Sequence, residues 1–336
     1  MRRTTGRQFS RDSTSFCPGA ARNPASGGLE PAKCRYTVRA QSMTHSHPLP
    51  PFSMKNPAEY YSQQYNARAA IPDHPFIFTR WQKESAQVRR TQAALLDLAY
   101  GEASGERLDF FPASRSDAPL LVFIHGGWWR SLDKSDFSFM APAYTRAGYN
   151  VALTNYTLAP DASIADIVRQ QLRALAWLYR SAEKYDFDRN RIVVAGHSAG
   201  AHLGAMMMSA LWPTLGDDLP HDLVKGAVLM SGLYDLAPVL HANFVNVDLK
   251  LTTDDIHPLS PHLMPQAWPA PFITAVGGLE SDEFKRQTTL IAETWQSSHL
   301  EDLTVPAANH LTICDAFGTA GHPLHAATIQ LLDSAG

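Results

Sequence analysis

Cysteine is scarce in this chain of 336 residues: there are three, Cys17, Cys34 and Cys314. Three scattered thiols make neither a disulfide framework nor a zinc ribbon, and they read as free thiols in a reducing compartment. Long apolar runs are missing as well. No stretch approaches the roughly 18 apolar residues of a membrane span, and no apolar segment follows Arg2 and Arg3 as it would in a secretory leader. Neither a membrane association nor export is expected, and the expected location is the cytoplasm. Charge of one sign is also lacking, with 29 Lys and Arg against 32 Asp and Glu. Basic residues are not interleaved with aromatics anywhere, so nucleic acid is not an expected partner. His322 and His325 form an H-x-x-H pair, too sparse for a metal site, and no metal or other cofactor is expected. What remains is a small-molecule substrate as partner; a homodimer is compatible with the sequence.

Composition then divides the chain. Arg2, Arg3, Arg7, Arg11, Arg22, Lys33, Arg35 and Arg39 face only Asp12 and Glu30 before residue 42, among Ser, Thr, Gly and Pro without hydrophobic period. Such a segment cannot bury a core, so residues 1–54, ending in the proline-rich HPLPPF, are expected as a disordered or non-native extension. Met43 and Met54 are alternative starts. Residues 55–336 are the expected folded domain.

Within it, strand-like runs alternate with helical ones. A helical stretch covers RWQKESAQVRRTQAALL, and strand-like runs follow at DLAYG and ERLDFFPA. PLLVFIHGG (119–127), YNVALTNY (149–156), RIVVAGHSAG (191–200), KGAVLMSG (225–232), PFITAVGG (271–278) and LEDLTVPAANH read as further strands. The apolar residues Ile164, Ile167, Val168, Leu172, Leu175 and Leu178 recur at helical spacing in a crossover helix ending near Tyr185. SDEFKRQTTLIAETWQSS is a helix, and the stretch from TICDAF to LLDSA a closing helical region. This alternation implies a mostly parallel twisted sheet with helices on both faces. Residues 209–270, rich in Pro, His and Trp, read as a small cap over the carboxyl ends of the strands, where ligands bind in such sheets.

Gly196-His197-Ser198-Ala199-Gly200 matches G-x-S-x-G, the nucleophile elbow of the α/β-hydrolase fold, and has the strand-turn-helix context that the motif requires. The small residues on either side let a strained turn lift Oγ into the open, and the following helix start faces developing negative charge. Upstream, His125-Gly126-Gly127-Trp128 closes a buried strand as an HGG-type loop. Amides of Gly126, Gly127 and Ala199 are the candidate oxyanion donors, since glycine lets the backbone approach a substrate closely. Trp128 and Trp129, directly after the loop, are expected to line an aromatic pocket.

In this fold the acid and then the base follow the serine in chain order. PFITAVGG leads into Glu280, with Asp282 as the alternative acid, while Glu283 reads as a charge at a helix start. LTVPAANH ends at His310, the candidate base that takes and returns the serine proton. His257, His262, His322 and His325 compete less well by position, and His202, four residues after Ser198, reads as structural.

HGGWWRSLDKSDFSFMAPAY, NYTLAPDASIADIVRQ, GHSAGAHLGAMM, SGLYDLAPV, the ES-x-EF-x-RQ stretch at 280–287 and NHLT at 309–312 together resemble the kynurenine formamidase (arylformamidase) branch of the α/β-hydrolases. The resemblance spans roughly residues 58–333. It implies the nucleophile at Ser198, the acid at Glu280 and the base at His310, with glutamate where the family often carries aspartate. It implies hydrolysis of N-formylkynurenine to kynurenine and formate. A broad short-chain carboxylesterase and a non-catalytic binding protein on the same fold are the alternatives.

Overall fold

A computed structural model describes residues 56–335. The extension expected at 1–54, with Cys17 and Cys34, lies outside the described residues. Among the described residues the strands are β1 Leu95–Ala99, β2 Arg107–Phe111, β3 Ala118–Ile124, β4 Asn150–Thr154, β5 Phe187–His197, β6 Gly226–Met230, β7 Phe272–Gly277 and β8 His299–Val305. The helices are α1 Pro57–Tyr65, α2 Ala67–Ala70, α3 His74–Thr91, α4 Ala141–Thr145, α5 Ile164–Tyr185, α6 Ala199–Met208, α7 Asn243–Leu249, α8 Thr253–Leu259, α9 Asp282–Thr294, α10 Ile313–Phe317 and α11 Pro323–Ser334. No helix among the described residues is long and apolar enough to cross a membrane.

The strands form one sheet in the order β1-β2-β4-β3-β5-β6-β7-β8. β1, β2 and β4 pair antiparallel at one edge, and every pairing from β4 through β3 to β8 is parallel. Successive side chains on a strand point to opposite faces, and β3 shows the consequence. Leu120, Val122 and Ile124 join the core under α5, α6 and α9, with Leu175, Leu203 and Ile291. Leu121 and Phe123 join the core under α3, α4, α10 and α11, with Trp81, Tyr144, Phe317 and Leu331. The apolar run is continuous because the strand is buried on both faces.

The local signals explain the element ends. Ser163 and Asp166 make a capping box at the start of α5, satisfying amides that have no partner in the first turn. The helix stops where Asp186 takes a left-handed φ of 55°. The helix expected to continue through Leu96 stops at Thr91 instead. Gln92 turns extended, and Leu95 pairs with Phe110 in the edge strand β1. Ala-Leu-Leu suits a helix as well as a strand, and the unpaired edge of β2 decides between them. The segment 209–270 is not one insertion, because β6 runs through it and separates residues 209–225 from 231–270.

One buried lysine anchors the antiparallel β1–β2 edge of the sheet to the segment after β3. The Lys134 ammonium is buried, 2.8 Å from Asp109 Oδ1 and 2.7 Å from Asp97 Oδ1. Its own amide donates to Asn155 Oδ1, an atom also 2.9 Å from His125 Nε2. Replacing Lys134 by Met leaves the Asp109 carboxylate, 1% exposed, without its cation. Breaking one partner of a buried pair costs about 3–5 kcal/mol, so Lys134→Met should shift the urea unfolding midpoint strongly downward. A change within about 0.5 kcal/mol, as at ordinary surface positions, would show that the pair does not support the fold.

Candidate active site

The residues singled out by motif meet at the carboxyl ends of the parallel strands. His125 to Trp129 follow β3, Ser198 follows β5, Glu280 follows β7 and His310 follows β8, and Ser231, which no motif marks, joins them after β6.

Ser198 occupies φ 55°, ψ −120°, outside the regions that an L-residue populates freely. The flanking glycines explain how the turn fits. A Cβ at Gly196 would stand 2.1 Å from the Gly200 carbonyl oxygen, and one at Gly200 would stand 2.0 Å from the Ile124 oxygen. The Ser198 amide donates to Met230 O of β6 at 2.9 Å. Its side chain caps nothing at the start of α6. Its Oγ lies 3.1 Å from His310 Nε2.

His310 is held from four sides. Nδ1 lies 2.7 Å from Glu280 Oε2, so Nδ1 carries the proton and Nε2 is free to accept from the serine hydroxyl. Phe284 stacks on the ring at 4.1 Å between centroids. His197 packs at 4.7 Å, and its Nε2 donates to His310 O at 2.7 Å. Burial and the neighbouring His310 push the His197 pKa well down, so this imidazole is neutral and its Nε2–H serves as a fixed donor.

Glu280 is buried, yet its carboxylate is fully engaged. Oε1 accepts from Ser231 Oγ at 2.6 Å and from the Gly277 amide at 2.7 Å, while Oε2 faces His310. Asp282, left open as the alternative acid, sits exposed in the first turn of α9. Glu283, expected only as a charge at the helix start, is instead buried. It accepts from Tyr65 OH at 2.9 Å and pairs with Arg286. Gln287 then donates to Tyr65 OH and to Asp235 O, and accepts from the amides of Tyr234 and Asp235. The ES-x-EF-x-RQ stretch thus ties α9 to α1 and to the loop after β6.

Among the described residues no acceptor takes up the amides of Gly126 and Gly127. The amide of Ala199 lies in the first turn of α6, where no intrahelical acceptor exists. Gly126 packs against the elbow closely enough that a Cβ there would lie 3.0 Å from Ser198 Cβ. Gly127 needs its φ of 104°. Tyr156 OH donates to His125 O at 2.9 Å and stacks on the His125 ring at 4.4 Å, fixing the start of the loop. Unpaired backbone amides close to a nucleophile are what an oxyanion site requires.

The two tryptophans part company. Trp128 lines a cavity of about 430 Å³ that also holds Ser198, His310, Phe78, Trp81 and Phe244. Trp129 does not, which corrects its expected place in the pocket. Its ring is fully buried and stands edge-on to His202 at 5.0 Å. Consecutive left-handed residues, φ 56° and 55°, turn the two side chains to different sides of the loop. His202 donates no chemistry to the site; its Nε2 is engaged with Leu259 O at 2.8 Å. His325 is engaged with Ala143 O and His262 with Tyr234 O, and both are away from Ser198. Sequence reasoning missed Ser231, Arg68, Arg130, Phe244 and Asp248. Ser231 could have been found from SGLYD directly after a buried strand; the others carry no local signal.

The family described as BD-FAE matches residues 108–220. A kynurenine formamidase from Salmo salar is 32% identical over 267 residues, covering 76% of this chain and 86% of its own length. A kynurenine formamidase from Danio rerio is 34% identical over 222 residues, covering 64% and 73%. The crystal structure of a protein from Silicibacter sp. superimposes with a TM-score of 0.69 at 29% identity, over 79% of this chain and 97% of the other.

The contrast between the two acids gives a direct test. Glu280→Ala should lower kcat for an activated ester by about 10³–10⁴-fold, as loss of the carboxylate behind a catalytic imidazole does in such triads. Asp282→Ala should leave most of the activity. The opposite ranking would remove Glu280 from the assignment.

Proposed function

The chain belongs to the kynurenine formamidase family of α/β-hydrolases, and from that membership we propose that it hydrolyses an aryl formamide such as N-formylkynurenine through Ser198, His310 and Glu280. The observation that carries this reading is His310 bridging the other two, 3.1 Å from Ser198 Oγ and 2.7 Å from Glu280 Oε2.

Ser198 Oγ attacks the formyl carbon while His310 Nε2 takes its proton. The carbonyl oxygen becomes the oxyanion and is held by amides drawn from Gly126, Gly127 and Ala199. Collapse breaks the carbon–nitrogen bond, and the imidazolium returns its proton to the aryl amine, which leaves as kynurenine. Water, deprotonated by His310, then attacks the formyl-serine. Formate departs and Ser198 regains its proton. Glu280 holds the ring and stabilises the imidazolium. No atom is oxidised or reduced in this sequence, and the reaction asks for no cofactor.

The cavity supports the aromatic half of the substrate. Trp128, Phe78, Trp81 and Phe244 line it, and a flat anilide gains by stacking or edge contact with such rings. In this reading α7, which brings Phe244 and Asp248 to the cavity, is the part of residues 231–270 that acts as the cap.

Two measurements test the proposal. The ratio of kcat/KM for N-formylkynurenine to that for p-nitrophenyl butyrate should favour the formamide by orders of magnitude; comparable or better ester turnover would sink the substrate assignment and leave a carboxylesterase. A fluorophosphonate probe should label the folded protein and lose its target in Ser198→Ala, with kcat down by about 10⁶-fold. Folded protein that takes no label would point to a binding module without catalysis.

A further inference from the structure

The cavity over Ser198 carries a charge arrangement that the triad does not use. Arg68 of α2 and Arg130 of the loop after β3 both line it, together with Asp248 of α7. Arg130 is taken up by Asp248, with which it forms an ion pair, and lies over the Phe244 ring. Arg68 has no carboxylate partner among the described residues. Its Nη2 donates to Ser131 Oγ at 2.8 Å, and its guanidinium lies 5.2 Å from the centre of the Phe78 ring. The Ser131 hydroxyl donates in turn to Gly127 O at 2.9 Å. One serine therefore separates Arg68 from the loop whose amides face the reacting carbonyl.

Two guanidiniums line this cavity beside one carboxylate, which Arg130 takes up, in a chain whose overall charge is −3. Partial burial first, and then the charge of Arg130, push the Arg68 pKa down, which is the sign of a cation short of a counter-ion. The planar fork of a guanidinium, held against an aromatic ring, suits bidentate recognition of a carboxylate. An anion seated there would offset the repulsion between the two arginines and engage donors that Ser131 leaves unused. A neutral ester or formamide would gain nothing from them.

We propose that Arg68, backed by Arg130, binds a carboxylate on the substrate and so selects an aryl formamide that carries an amino-acid head over a neutral one. This rests on the formamidase reading and deepens it. Arg68 makes no contact with the reacting atoms, and its effect is on substrate affinity. Being at the rim and partly exposed, the contact weakens as salt rises.

The test compares N-formylkynurenine with its decarboxylated analogue, for the wild type, Arg68→Gln and Arg68→Lys, with circular dichroism to establish that the variants are folded. Arg68→Gln should raise KM for N-formylkynurenine about ten-fold or more, the size expected for one charge-assisted hydrogen bond. The kcat values and the KM for the decarboxylated analogue should stay near wild type, and Arg68→Lys should recover part of the loss. Equal losses on both substrates, or none on either, would overturn the carboxylate site while leaving formamide hydrolysis intact. A second pair, 3-acetoxybenzoate against phenyl acetate, reads the same preference without a formamide. If the wild type turns over neither formamide, the formamidase reading falls. The ester pair then decides alone: a loss in Arg68→Gln confined to the carboxylated ester keeps the anion site, and its absence removes it.

Discussion

Ser198 is held at φ 55°, ψ −120°, a conformation that costs a non-glycine residue about 1–3 kcal/mol, and the neighbouring backbone leaves it no room to relax. β3, β5 and α6 come so close at this turn that no Cβ fits at Gly196 or Gly200. The Ser198 amide is committed to β6. The serine oxygen is thereby fixed relative to the sheet, and every partner has to be delivered to it. The loop after β3 brings unpaired amides from one side, and the turns after β7 and β8 bring the acid and the imidazole from the other. A strained residue at this point is tolerated because the whole parallel sheet determines its surroundings.

Burial sets the second constraint. The carboxylate of Glu280 is taken from water, so each of its oxygens requires donors. Ser231, Gly277 and His310 supply them. Three residues later the same demand recurs at Glu283, met by Tyr65 and Arg286. The next residue, Phe284, lies against the His310 ring. One turn of α9 and the residues before it therefore position the imidazole, cover it and lock the helix to α1. That explains why acidic, aromatic, basic and amide residues crowd together in this stretch. The ring of His197 remains neutral because it is buried beside His310; a second positive charge there would oppose the imidazolium that forms when His310 takes a proton.

The fold was legible because its signals are local and repeated. Continuous apolar strands, an amphipathic crossover helix with a capping box, and glycines where backbones touch can each be read within about ten residues. The elbow and the HGG loop were legible for the same reason, since close approach demands glycine at fixed offsets. Leu95 and Leu96 were misread as helix because their side chains satisfy both periods and only the open edge of β2 makes them a strand. Trp129 was misread because two adjacent identical residues look alike in sequence, whereas consecutive left-handed φ values send one ring to the cavity and the other to the core.

By itself the sequence determined the parallel α/β architecture, the strained serine turn, the glycine loop and the chain order in which a carboxylate and a histidine follow. These depend on backbone sterics and hydrophobic period, which act between near neighbours. Tertiary structure alone decided that Glu280 rather than Asp282 faces His310, that Ser231 and Gly277 hold its other oxygen, and that Arg68, Arg130, Phe244 and Asp248 share a cavity with Ser198. Those residues come from seven separate segments: α2, the loop after β3, the turn after β5, the turn after β6, α7, the end of β7 with its turn, and the turn after β8. Only the packing of helices against the sheet brings them within reach of one another. No periodicity or spacing along the chain encodes that distance.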